Sequence, residues 1–162
     1  MPIGGVPLIQ GIYKDYVCVR DKKAQGTSGG TFTEGDWRTR DLNEELADTA
    51  GIAAIASNQI TLAAGTYRIS ASAPAEMVAS HQLRLYSVTD DSVLLVGSAA
   101  YANPSHSDHV HALLSGRFTL AAQKVLEIQH RCETTHVING LGAACGYTDE
   151  IYTVAEFWRE AS

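Results

Sequence analysis

The chain has 162 residues, 45% of them hydrophobic and 19% charged, and a formal net charge of −6. That length fits one domain with a continuous core, and the composition is that of an ordinary globular protein. The 12 lysines and arginines are scattered rather than gathered into a stripe, and no apolar run approaches the ~20 residues that span a bilayer, so neither nucleic acid nor a membrane is an expected partner.

Residues 1–15 contain Pro2, Gly4, Gly5, Pro7 and Gly11 and predict an arm ahead of a domain over residues 16–162. They show no basic stretch followed by a long apolar run, so no secretory signal is read there and synthesis in a cytoplasm is expected. Tyr16, Val17, Cys18 and Val19 predict a first strand that is apolar on both sides. Asp41–Asp48 holds Leu42 and Leu46 at helical spacing but is short, and an extended segment suits it as well.

From there the period is two. In 66–73, Tyr67, Ile69, Ala71 and Ala73 alternate with Arg68, Ser70 and Ser72. Leu83 and Leu85 alternate with Gln82 and Arg84, and Leu126 and Ile128 with Glu127 and Gln129. Turn residues punctuate these runs at Gly65, Asp90-Asp91, Asn103-Pro104, Gly116 and Asn139-Gly140. Short alternating strands separated by turns predict antiparallel sheets in a sandwich or barrel.

The closing segment, 151–158, departs from simple alternation. Ile151, Thr153, Ala155 and Phe157 lie on one face, and Tyr152, Val154 and Trp158 on the other, interrupted only by Glu156. A strand covered on one side by its own sandwich should be polar on the opposite side. Cover by a neighbouring subunit is therefore expected, although loops of the same chain are an alternative cover.

Leu62-Ala63-Ala64-Gly65-Thr66-Tyr67 resembles the lead-in to a central strand of the complement-globular-head and tumour-necrosis-factor-like jelly rolls. Gly116–Leu120 followed by Val125–Gln129, and the glycine-rich 139–146 stretch before the aromatic 151–158 strand, are similar to later strands of that superfamily. The resemblance implies an all-β, antiparallel jelly-roll sandwich of ten-odd strands, with the first and last strands central and a tight homotrimer about a threefold axis. More narrowly, Gly30-Thr31-Phe32-Thr33, then Trp37-Arg38-Thr39-Arg40-Asp41-Leu42-Asn43, resembles a segment of tailed-bacteriophage virion proteins. This second resemblance implies a structural protein on the phage particle surface. The reading favoured is a trimeric capsid decoration (cement) protein that stabilises the head, clipped by residues 1–15 to the major capsid protein or another virion protein. The alternative is a receptor-binding head of a tail fibre or tail needle that uses loops near 72–81, 102–109 and 134–142. The chain lacks the Gly-X-Y repeat of a collagen stalk and the long shaft of a receptor-binding fibre.

Candidate chemistry is sparse, and no catalytic residue, metal ligand or cofactor is assigned. His109 and His111 share one face of a predicted strand. They resemble the His-x-His pair of cupin enzymes, but no glutamate follows before Glu127, which leaves a metal-dependent jelly-roll enzyme as the least favoured reading. A metal on a threefold axis, held by the pair from three chains, is the other sharp reading. Exposed imidazoles on a polar loop are the plain one. Cys18, Cys132 and Cys145 lack metal-site spacing and are read as buried free thiols rather than as a bridge. Hydrolase elbows, His-Glu-x-x-His and phosphate loops are missing. The acidic groups at 44–48 and 90–91 read as solvated turns, and Trp37 and Trp158 as packing residues rather than carbohydrate platforms.

Overall fold

The computed structural model describes residues 11–161. Eleven strands form two antiparallel sheets packed face to face, with no helix among the described residues. The five-stranded sheet runs β3 (Glu44–Asp48), β1 (Tyr13–Lys23), β11 (Glu150–Glu160), β6 (Gly65–Glu76), β9 (His109–Leu120). The six-stranded sheet contains β4 (Ala53–Ala56), β5 (Gln59–Leu62), β10 (Lys124–Cys132), β7 (Ala79–Ser87) and β8 (Ser92–Ala102) in that order. The two-residue β2 (Arg38–Thr39) is its sixth strand and pairs with β10. Chain crossing between the two sheets makes this a jelly roll, and β1 and β11 lie side by side inside their sheet.

The period-two runs build the core as their alternation requires. Tyr67, Ile69, Ala71 and Ala73 of β6 face Leu83 and Leu85 of β7 and Leu126 and Ile128 of β10 within one apolar cluster. Phe118 stacks on Tyr67 at a centroid separation of 5.6 Å and meets Phe157 edge-on at 6.4 Å. Glu44–Asp48 is strand rather than helix, because pairing with β1 brings Arg20 and Lys22 to Glu44 and Tyr16 to Thr49. The sheets meet along β8 and β9 at Gly97. A Cβ there would sit 2.3 Å from the Leu113 carbonyl oxygen and 3.1 Å from that of Leu83, so only glycine admits the crossing.

Irregular backbone closes one end of the sandwich. Residues 29–32 bond to residues 136–142 through Gly29 N–H to Gly142 O, Gly30 N–H to Ile138 O and a reciprocal Phe32–His136 pair. Phe32, Val78, Ala75 and Cys132 form a second small core beneath this cover. Most of the expected arm falls outside the described residues; the first strand begins at Tyr13, three residues before the expected boundary.

Candidate functional site

The outward face of the five-stranded sheet is the most unusual surface. Register places Tyr16 opposite Trp158, Cys18 opposite Glu156 and Arg20 opposite Val154, while Ser70 and Ser72 of β6 lie next to Glu156 and Val154. On the far side of β6, Ser115 and Leu113 of β9 complete the row. The Tyr16 and Trp158 rings lie 5.5 Å apart, and the Tyr16 hydroxyl donates to Glu156 Oε1 at 2.6 Å. Burial, with this carboxylate alongside, pushes the Tyr16 hydroxyl pKa up. The central positions are therefore small or apolar, with the one carboxylate held by a tyrosine. Leu113 stays 56% exposed. Long charged side chains, the usual cover of a solvated sheet face, are few here: Arg20, paired with Glu44, and Arg68 and Arg117.

The expected two-faced pattern of the last strand needs one correction. Thr153, Ala155 and Phe157 do face the core, but Ile151 is exposed and Tyr152 is buried. A register irregularity between Arg20 and Lys22, opposite this point, interrupts the alternation. Tyr152 is covered by its own chain: Gly142 lies directly against its ring, and its hydroxyl donates to Thr27 O at 2.7 Å. Only Val154 and Trp158, both partly exposed, remain of the apolar second face.

His109 and His111 lie on one side of β9 as their spacing requires, but they are differently engaged. His109 Nε2 lies 3.1 Å from Glu76 Oε2 and 2.7 Å from the Ala143 N–H, so it is held within its own chain. His111 is exposed opposite Pro74. Among the described residues no three histidine, cysteine or carboxylate side chains gather as a metal site. Cys18 and Cys132 are buried free thiols, and burial pushes Cys132 up to about 11. Cys145 is exposed, contrary to expectation, and its thiol donates to Glu150. The Glu150 carboxylate also accepts from the backbone N–H groups of Gly26, Cys145 and Gly146, which hold its pKa down at about 2 and fasten the 145–149 loop.

Two polar groups in the interior were invisible to alternation. Arg40 is 1% exposed and donates to Thr153 Oγ1, Leu141 O and Pro74 O; burial lowers its pKa to about 10. His81 and His130 are buried together, His81 Nδ1 2.9 Å from His130 Nε2, with Phe32 against the second ring. Their outer nitrogens, His81 Nε2 and His130 Nδ1, have no protein partner. Burial, then the nearby Arg40 charge, lowers His81 to about 4 and His130 well below its ordinary value. Both imidazoles are therefore neutral near pH 7. The acidic turns are also occupied: Asp48 accepts from the N–H groups of residues 50, 52 and 53, and Asp90 pairs with Lys124 at 2.6 Å.

No protein-family model matches the chain, and no curated protein sequence resembles it significantly. Solved structures do. The chain is similar to Eiger TNF from S. frugiperda, with a TM-score of 0.60 and 10% identity over 92% of this chain and 95% of that one. It is similar to the globular domain of zebrafish complement 1qA protein, with a TM-score of 0.57 and 17% identity over 90% and 96%. Murine APRIL gives 0.58 and 7% over 90% and 98%. The fold is thus the tumour-necrosis-factor-like, complement-globular-head jelly roll.

Proposed function

We propose that this jelly roll is a non-enzymatic module that works as a homotrimer, with the outward face of the five-stranded sheet as the buried interface. The observation that carries the reading is a platform of two cross-strand rows, Cys18–Glu156–Ser70–Ser115 and Arg20–Val154–Ser72–Leu113, in which small and apolar groups outnumber the charged ones, Tyr16 holds Glu156, Glu44 holds Arg20, and Trp158 stands alongside. A neighbour can approach such a platform closely, and apolar area removed from water drives the association. Leu113, on the edge strand β9, stays exposed and carries the platform to the sheet margin. A face that receives a different surface of the next copy makes a head-to-tail contact, and three such contacts close a ring. The neutral buried histidines and the in-chain partners of His109 support a structural rather than a catalytic role.

The expected result in sedimentation equilibrium at micromolar concentration is a species of about three times the 17.4 kDa chain mass. Ser70→Arg, placed on the exposed centre of the platform, should yield a folded monomer with an unchanged far-ultraviolet spectrum. A wild-type monomer at that concentration defeats the proposal.

We further propose that the trimer decorates the capsid of a tailed phage, and this rests on the sequence resemblance of residues 30–43 alone. Quantitative mass spectrometry of purified particles tests it. Hundreds of copies per particle support decoration, a dozen or so support the tail-tip reading, and absence from the particle overturns both.

A further inference from the structure

We infer that the outer surface of the six-stranded sheet carries a binding groove for neutral oligosaccharide. The cavity holds about 930 Å³ and lies on strands β10, β7 and β8. Its cause is a pattern of side-chain size. Outward positions Ser80 and Gln82 of β7 pair with Tyr101 and Ala99 of β8, and Gln82 also pairs with Arg131 of β10. Small groups at Ser80 and Ala99 leave a trough, walled by Tyr101 on one side and by the Glu34–Trp37 loop on the other.

The walls are those a sugar requires. Tyr101 is 59% exposed, and among the described residues no hydrogen bond holds its hydroxyl. Arg84 lies 4.2 Å over the Trp37 ring, and this cation holds the indole in place at the groove wall. Aromatic faces bury the C–H face of a pyranose while their polar edges stay wet. Around these rings stand groups suited to hydroxyls. One oxygen of Glu133 accepts from the Ser80 N–H at 3.2 Å and one oxygen of Glu34 from the Thr135 N–H at 3.2 Å, which fixes each carboxylate and leaves its second oxygen to a ligand. The Gln82 amide is oriented by donation to Gly97 O at 2.8 Å, which leaves its carbonyl as an acceptor. Arg131 is exposed, and among the described residues its guanidinium makes no ion pair or hydrogen bond.

Charge selects the ligand class. Side chains of β10, β7 and β8 line the groove, and they carry the recognition. Two carboxylates against one guanidinium disfavour sulfated, sialylated or phosphorylated chains. The groove lies on the sheet opposite the proposed trimer platform, so this inference stands whether or not the chain assembles.

The test is a printed array of neutral and acidic oligosaccharides probed with labelled full-length protein, followed by calorimetric titration of the strongest neutral binder. Wild type should retain neutral glycans. Tyr101→Ala should weaken the titrated affinity roughly tenfold. Ser80→Lys, which fills the trough from an exposed position, should abolish retention with an unchanged melting temperature. Retention of acidic glycans alone, equal retention by both variants, or no retention of any neutral glycan overturns the inference.

Discussion

Acid should unfold this protein earlier than its carboxylates dictate, because of the His81–His130 pair. In the native state both imidazoles are buried and neutral, with His81 lowered to about 4 by burial and the Arg40 charge. In the unfolded chain each titrates near 6.5. The sign follows from proton counting. Below about pH 6.5 the unfolded chain binds protons that the native state refuses, so stability is complete above that value and falls as pH drops towards 4. For His81 the full separation is worth about 3.4 kcal/mol, of which about 2 kcal/mol is lost by pH 5; His130, lowered by the same burial, adds a loss of the same sign. Carboxylates have barely begun to titrate there, so the interval between about pH 7 and 5 isolates the histidines. Urea titrations across that interval should show a drop of about 2 kcal/mol or more. The double variant His81→Leu/His130→Leu removes these two groups and their orphaned nitrogens, so its stability should fall much less over the same range, the remaining slope coming from other histidines such as His111, which burial also lowers. A flat wild-type profile, or a variant with the wild-type slope, refutes the reasoning.

Other perturbations report on single contacts. Gly97→Ala forces a methyl group against the Leu113 carbonyl and should cost about 1–3 kcal/mol in calorimetry by prying β8 from β9. Arg40→Ala leaves Thr153 and Leu141 O without their donor and opens a void, so it should cost about 3 kcal/mol or more in urea, whereas Arg40→Met should cost less because it fills the space without burying a charge. Glu150→Ala frees three backbone N–H groups and should make the 143–149 loop the first site of limited proteolysis, read by mass spectrometry. Stability supplied by Glu150 is present above its unfolded value near 4.5 and should fade as pH falls towards about 2.

Strands whose one face meets water were legible because alternation survives folding: the runs at 66–73 and 125–130 lie within β6 and β10, and 82–88 overruns the end of β7 by one residue. The jelly-roll resemblance carried the order of strands, including the adjacency of β1 and β11, which local pattern cannot give. Alternation misled where the register slips, at Ile151 and Tyr152, since an irregularity offsets the residues before it from the regular alternation that follows. Glu44–Asp48 read ambiguously because its strand character comes from β1 rather than from its own residues. Arg40, His81 and His130 occupy interior positions that composition assigns to apolar residues, and only tertiary partners make them acceptable there. The groove was hidden for a related reason. Its walls come from residues 34–37 and 101, and its floor from 80, 82 and 99, which are neighbours only through cross-strand register.

The adjacency of β1 and β11 bears on how the chain is born. A ribosome delivers Tyr13–Lys23 first, yet the main partner of that strand, Glu150–Glu160, emerges some 130 residues later. Until then β1 has only the short β3 beside it, while all strands of the six-stranded sheet are already available by Cys132. The nascent protein thus carries one finished layer whose greasy side waits for its lid, and the waiting time is set by translation. Chaperone demand should therefore peak just before the closing strand is made.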